Sequence, residues 1–81
     1  MSYHEANRVI DVVSDYYGVP RERVAGRHRK KSKTAIKARK VSQYLIRERT
    51  DLSLPEIAEI FGVDHSTVIK NTGTLRRLEN A

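Results

Sequence analysis

Apolar residues recur three and four positions apart along the first seventeen residues, which is the period of an amphipathic helix. The stripe consists of Ala6, Val9, Ile10, Val13, Tyr16 and Tyr17. Gly18 follows it and can adopt the positive φ at which many helices end. The pattern therefore predicts a first helix that starts near the N-terminus, buries this stripe and ends at Gly18.

Four further helical segments follow, and no segment alternates with the two-residue period of a strand. They are a short helix within 19–24, with Pro20 in its first turn, and helices at about 34–49, 54–61 and 65–78. A polar, basic loop at 27–33 precedes the third helix. The sequence predicts an all-α fold, a small domain of about five helices that occupies residues 1–81 as one unit.

The three later helices each have an apolar side that is expected to face the core. Their predicted core residues are Ala38, Val41 and Leu45, with Tyr44 as a further candidate, then Leu54, Ile57 and Phe61, then Val68, Leu75 and Leu78. Gly73 lies inside the last helix, where glycine costs about 1 kcal/mol relative to alanine. We therefore expect that helix to bend or fray near Gly73.

The fourth and fifth helices are joined by unusually clear local signals. Ser53 and Glu56 form a capping box, in which each side chain accepts a hydrogen bond from a backbone N–H that the new helix leaves unpaired. Gly62 ends this helix, and Asp64 is a suitable N-cap for the next one. A short helix, a glycine-containing turn and a helix with a polar first turn form the helix-turn-helix pattern, here at about 54–78. The pattern indicates DNA binding.

This region resembles the C-terminal DNA-binding domain of DnaA, the bacterial replication initiator. The resemblance rests on Leu52-Ser53-Leu54-Pro55-Glu56-Ile57, Phe61-Gly62 and Asp64-His65-Ser66-Thr67-Val68, and it extends upstream through Tyr44-Leu45-Ile46-Arg47-Glu48-Arg49-Thr50-Asp51. The chain departs from the family at Lys37-Ala38-Arg39, where Arg-Pro-Arg is usual, and at Lys70-Asn71-Thr72-Gly73-Thr74, where small and basic residues are usual. The resemblance implies sequence-specific binding of double-stranded DNA at a short site like a DnaA box, in replication initiation or its regulation.

The resemblance also implies which residues read the bases in the major groove. It assigns base contacts to Asp64, His65 and Ser66, and it places Thr67 and Pro55 near the DNA backbone. Ser66 stands where the family has threonine, so it keeps the hydroxyl but lacks the methyl group that could pack on a thymine. From the residues alone, Asp64 could serve only as an N-cap, and His65 could be an ordinary exposed histidine.

A second set of contacts is expected from basic residues. By resemblance, Lys37 enters the minor groove, although lysine lacks the planar fork of the arginine that is usual there. Phosphate contacts are expected from Arg39, Lys40, Arg47 and Lys70. Any one of these four could instead be only a solvated surface charge.

The distribution of charge strengthens this interpretation. The formal net charge is +6, and twelve of the sixteen Lys and Arg residues lie between Arg21 and Arg49. From Arg27 to Lys40 there are eight basic residues and no acidic one. Such a run could be a solvated loop, but beside a helix-turn-helix we interpret it as a phosphate-binding surface. Binding to a membrane surface would require an apolar face with aromatic anchors, which this run lacks.

Several other kinds of chemistry find little support in the sequence. There is no cysteine, and the three histidines show no ligand spacing, so we expect no metal and no cofactor. A Gly-x-x-x-x-Gly-Lys-Ser/Thr phosphate loop and a nucleophile–base pair are also missing from the 81 residues, so we expect no enzyme activity and no small-molecule substrate. Without a signal peptide or a long apolar run, the expected location is the cytoplasm, in association with the nucleoid.

Alternative functions stay open at this point. The expected partner is double-stranded DNA, bound as a monomer, but a transcriptional regulator unrelated to origins would share the same features. A protein-interaction adaptor could use the aromatic residues Tyr3, Tyr16 and Tyr17, and their burial tests that hypothesis. RNA binding would favour aromatic residues among the basic ones, and residues 21–40 contain none.

The basic surface makes a first prediction about salt. If roughly six phosphates are engaged, log K for duplex DNA should fall against log salt concentration with a slope of about −5, because each neutralised phosphate releases counterions. Titration of a labelled duplex at several salt concentrations measures this slope. A slope close to zero would contradict the assignment of residues 27–40 to phosphate binding.

Overall fold

The computed structural model of the protein describes residues 2–26 and 32–79, and the described residues form five helices and no strand. The helices are α1 (Ser2–Tyr17), α2 (Arg21–Val24), α3 (Lys33–Arg49), α4 (Leu54–Phe61) and α5 (His65–Glu79). The predicted all-α fold is confirmed. α4 has the predicted bounds, whereas α3 begins one residue early because Ser32 caps it by accepting a hydrogen bond from the N–H of Ala35 at 3.1 Å. Most of the predicted loop, residues 27–31, lies outside the described residues.

α3 is the central element of the fold, because each of the other four helices packs against it. Most of the buried apolar side chains form one cluster, which consists of Ala6, Ile10, Val13, Val24, Ala38, Ile46, Ile57, Ala58, Phe61 and Val68. Full burial of a side chain the size of isoleucine or phenylalanine contributes about 1.5–3 kcal/mol. Packing around α3 therefore supplies the main stabilisation of a chain that has no disulfides.

The predicted core is confirmed at its centre and differs at its edges. Ile57, Phe61 and Val68 are fully buried, while Leu54, Val41 and Leu45 are half-buried and pack against the cluster. Tyr44 and Leu75 are also half-buried, and the side chain of Leu78 lies outside the described residues. Ala35 and Ile46 are also fully buried on α3, although they were not among the predicted core residues.

The structure of α1 differs from the prediction at Tyr16. Tyr17 packs against the core, but Tyr16 is 82% exposed, so its predicted inward position is wrong. The reason is helical geometry, since Tyr17 follows Val13 by four residues and takes the inner position, while Tyr16 lies at the edge of the stripe. Tyr3 is half-exposed, and its hydroxyl donates a hydrogen bond to the carboxylate of Glu56 at 3.4 Å. The adaptor hypothesis therefore keeps two accessible tyrosines, Tyr3 and Tyr16, whereas Tyr17 is half-buried against the core.

α5 continues through Gly73 to Glu79 as one helix. No helix in residues 2–26 or 32–79 has both the length and the apolar composition that crossing a membrane requires.

Gly73 generates a prediction about stability. A Cβ built at this position meets no atom within 4 Å, so Gly73→Ala should stabilise the protein by roughly 0.5–1 kcal/mol through helix propensity alone. Gly18 is the matched control, because it has equally open surroundings but a φ of +67°. Gly18→Ala should destabilise by about 1–2 kcal/mol, since the left-handed region is unfavourable for alanine. Thermal unfolding of the three proteins gives both values, and a loss of stability in Gly73→Ala would show that α5 needs glycine there.

Candidate nucleic-acid interface

The first part of the candidate interface is the start of α4, where the predicted capping box is present. Ser53 Oγ accepts a hydrogen bond from the backbone N–H of Glu56 at 3.3 Å, and the carboxylate of Glu56 accepts one from the backbone N–H of Ser53 at 2.8 Å. The latter bond is the main cause that lowers the pKa of Glu56, because it favours the charged carboxylate. Pro55 is exposed in the first turn, where its missing N–H costs no helical hydrogen bond.

The turn between α4 and α5 is built by Gly62. Its φ of +66° lies in the left-handed region, and its N–H donates to the carbonyl oxygens of Ala58 and Glu59. The N–H of Val63 then donates to the Ala58 carbonyl at 3.0 Å, so the chain reverses direction within a few residues. The Asp64 carbonyl accepts the first hydrogen bond of the next helix, as expected for the residue that precedes it.

The first turn of α5 presents consecutive polar side chains to solvent. Asp64, His65, Ser66 and Thr67 are all exposed, while Val68 is fully buried and fixes the helix to the core. A carboxylate, an imidazole and two hydroxyl groups provide both donors and acceptors, as the edges of base pairs require. The first N–H groups of a helix also attract anions such as phosphate.

α3 contributes a row of positive charge. Lys33, Lys37 and Lys40 are exposed, and their spacing of four and three residues places them on one face of the helix. Ala38 and Ser42 are buried on the opposite face. Lys33 belongs to the basic run predicted to bind phosphate but was not named as a separate candidate, although its helical spacing from Lys37 places it in the same row.

The lysine row and the first turn of α5 belong to neighbouring helices. Ile36, next to Lys37 in the sequence, and Thr67 in the first turn of α5 line the same small cleft between α3 and α5. The first half of α3 and the first turn of α5 therefore lie side by side.

Polar side chains also hold α5 against α3 farther along. Asn71 Nδ2 donates to Gln43 Oε1 at 3.0 Å, and one terminal nitrogen of Arg47 donates to Thr72 Oγ1 at 2.6 Å. Thr72 in turn donates to the Val68 carbonyl at 2.7 Å. Gln43 and Thr72 are each only 1% exposed, so loss of Asn71 would leave the buried amide oxygen of Gln43 without this hydrogen bond.

These bridging residues were missed by the sequence analysis, because polar residues on helices usually face solvent. A signal exists for Thr72, which follows Val68 by four residues and precedes Leu75 by three. Its position therefore lies on the predicted buried face of α5. Gln43 has a weaker signal, since it precedes the buried Ile46 by three residues.

Arg39 differs from the other predicted phosphate contacts, because it is buried. Its side chain is only 5% exposed, and its two terminal nitrogens donate to the carbonyl oxygens of Gly26 at 2.9 Å and Phe61 at 2.7 Å. The guanidinium carbon lies 5.8 Å from the centre of the Phe61 ring, and burial lowers the pKa of Arg39. Lys37 and Lys40 lie on the outer face of α3, and helical geometry turns Arg39 to the inner one. The structure therefore gives no support to the predicted phosphate contact at Arg39, because both terminal nitrogens donate to carbonyl oxygens inside the protein.

The other predicted phosphate contacts occupy more accessible positions. Lys40, Pro55, Thr67 and Lys70 are exposed, and Arg47 is half-buried with one nitrogen bonded to Thr72. Within residues 2–26 and 32–79, no three His, Asp or Glu side chains are close enough together to hold a metal ion.

The sequence of this region matches a known family. Residues 6–74 fit the family described as the bacterial dnaA protein helix-turn-helix. The chromosomal replication initiator protein DnaA of Thermoanaerobacter sp. is 49% identical over 57 residues, which make up 70% of this chain and 12% of that protein. The protein of the same name from Enterococcus faecalis is 48% identical over 63 residues, 76% of this chain and 14% of that protein. The one from Cutibacterium acnes is 40% identical over 72 residues, 88% of this chain and 14% of that protein.

The chain thus spans 12–14% of the length of these three relatives. The region that fits the family contains α2, α3 and α4 in full, the turn at Gly62 and the first turn of α5. The capping box, the left-handed glycine and the exposed polar turn all lie within it. The chain therefore belongs to the bacterial DnaA helix-turn-helix family.

Proposed function

We propose that the chain binds double-stranded DNA at a short site similar to a DnaA box, with the first turn of α5 in the major groove. The observation that supports this most directly is the exposed polar series from Asp64 to Thr67 at the start of a helix that Val68 fixes to the core. A helix N-terminus placed in the major groove brings such side chains to the base edges. In this proposal Asp64, His65 and Ser66 read the bases.

The lysine row on α3 provides the second part of the interface. Lys37 is proposed to enter the minor groove beside the major-groove site, and Lys33 and Lys40 to lie along the phosphates. The cleft shared by Ile36 and Thr67 supports this arrangement, because it places the start of α3 next to the start of α5. One duplex could then contact both helices.

The remaining proposed contacts go to the sugar–phosphate backbone. They are made by Pro55 and Thr67 around the turn, by Lys70 on the exposed side of α5 and by Arg47 on α3. Lys70 follows Ser66 by four residues, so the two share one face of α5. Contacts to phosphate fix the position of the protein along the duplex without reading its sequence.

The biological role is proposed from the relatives, which are named as chromosomal replication initiators. Binding at their sites would place the chain in replication initiation or its regulation. It could act as the DNA-binding part of an initiator or as a competitor for the same sites. A transcriptional regulator would use the same interface, and the sequence preference of the bound DNA distinguishes the two roles.

The recognition helix is tested by His65→Ala and Ser66→Ala. Each variant should reduce the preference for a DnaA-box duplex over a scrambled one by about 1–3 kcal/mol, because a side chain that contacts base edges is removed. Affinities for the two duplexes, measured at one salt concentration, give this preference.

Lys40→Ala is the matched control for those variants. Lys40 is exposed on α3, and its loss should weaken binding to both duplexes equally and reduce the salt slope by about 1. If His65→Ala behaves in the same way as Lys40→Ala, the first turn of α5 does not read bases.

The minor-groove contact is tested at Lys37. Lys37→Arg should tighten binding when the flank of the site is AT-rich, because guanidinium loses water more easily than ammonium and a narrow minor groove concentrates negative potential. Lys37→Ala should weaken binding to that flank and leave the major-groove preference intact. The measurement compares the three proteins on duplexes that differ only in the flank. Equal changes in affinity for duplexes with AT-rich and GC-rich flanks would show that Lys37 contributes only its charge to a phosphate contact.

A further inference from the structure

The C-terminal end of α4 is held from outside the helix-turn-helix. Gly62 and Val63 donate to the carbonyl oxygens of Ala58 and Glu59. The last two carbonyl oxygens of α4, those of Ile60 and Phe61, need donors from elsewhere. The Ile60 carbonyl accepts a hydrogen bond from the N–H of Gly26 at 3.0 Å, and the Phe61 carbonyl accepts one from Arg39 at 2.7 Å. Both donors come from other parts of the chain.

Arg39 closes these contacts into a ring. Its second terminal nitrogen donates to the carbonyl of Gly26 at 2.9 Å, so Gly26 is held through both its N–H and its carbonyl group. The ring joins the segment after α2, the inner face of α3 and the last turn of α4. Phe61, one member of this ring, is followed directly by the Gly62 turn that leads into α5.

The chemistry of this position favours arginine over any other residue. A planar guanidinium can donate to two carbonyl oxygens at once while one face lies against the Phe61 ring. The carbonyl end of α4 carries the negative end of the helix dipole, so it stabilises a cation there. Lysine keeps the charge but has a single nitrogen, which cannot reproduce the fork geometry.

We infer that Arg39 is a positioning residue for DNA recognition, because it fixes the end of α4 and hence the direction in which the first turn of α5 projects. This inference rests on the proposed function, since the orientation of residues 64–67 has a consequence only if they read bases. Arg39 itself would touch neither a base nor a phosphate.

The test compares Arg39→Lys with Arg49→Lys. Arg49 lies exposed on the same helix and lines a groove with Glu5 and Arg8 of α1, whose lining includes no described residue of α5, so it controls for the loss of a guanidinium. Affinities for a DnaA-box duplex and a scrambled duplex are measured at several salt concentrations, well below the unfolding temperature of each variant. We expect Arg39→Lys to lower the preference for the box on the order of tenfold, as loss of one good base contact does, with no change in the salt slope. Arg49→Lys should keep the preference of the wild type.

Two results would overturn the inference. If Arg39→Lys weakens binding to both duplexes equally and makes the salt slope smaller by about 0.9, Arg39 contacts a phosphate after all. A lower unfolding temperature with unchanged affinities for both duplexes would show that Arg39 supports the fold without orienting α5.

NMR spectra keep the inference testable if Arg39→Lys does not fold. In the wild type, the guanidinium N–H signals of Arg39 should exchange slowly with water and keep their positions when DNA is added. Rapid exchange or a large shift on DNA would count against a buried positioning role.

The proposed function can fail separately. If the wild-type protein shows no preference for the box, sequence-specific binding is excluded, and the positioning role is then judged without DNA. In that case the backbone amide signals of residues 64–67 should still shift in Arg39→Lys and not in Arg49→Lys. Unchanged amide signals would reject the positioning role.

Discussion

A helix that ends inside a folded protein must find donors for its last four carbonyl groups, since no further turn of the helix supplies them. At the end of α4 the Gly62 turn serves the carbonyls of Ala58 and Glu59, and contacts with Gly26 and Arg39 serve those of Ile60 and Phe61. An unpaired buried carbonyl would cost about 1–3 kcal/mol. Two distant segments thus complete the hydrogen bonds of this helix end, directly before the turn that leads into α5. With Arg39 as the proposed positioning residue, the direction of α5, and with it the candidate interface, would depend on that completion.

α3 meets two opposite requirements with its two faces. Its outer face carries Lys33, Lys37 and Lys40, which repel one another and need solvent or phosphate around them. Its inner face carries Arg39, whose charge is held by backbone carbonyls and by the Phe61 ring. The same type of charge therefore has two roles, and the helical period alone separates them. Charge density along the sequence does not distinguish a surface contact from an internal one.

This difference explains what the sequence could and could not predict. The bounds of α4 followed from Ser53, Glu56 and Gly62, because capping and left-handed turns depend on a few neighbouring residues. The exposed first turn of α5 followed in the same way from local pattern. The role of Arg39 depends on Gly26 and Phe61, which lie 13 and 22 residues away in sequence, so no local pattern contains it. The inward position of Ile46 was missed for a related reason, since half-apolar helices such as α3 leave the choice of buried face to their neighbours.

The contact between α3 and α5 shows why recognition requires more than a stable core. Apolar side chains such as Val68 hold the two helices together, but hydrophobic contact is not directional and permits small rotations. Hydrogen bonds from Asn71 to Gln43 and from Arg47 to Thr72 depend on angle, and they lose their energy when a helix turns about its axis. The base contacts proposed for the first turn of α5 would demand similar angular precision. Buried polar bridges cost desolvation energy, so their net contribution to stability is small, whereas the angles that they require restrict the rotation of α5 against α3.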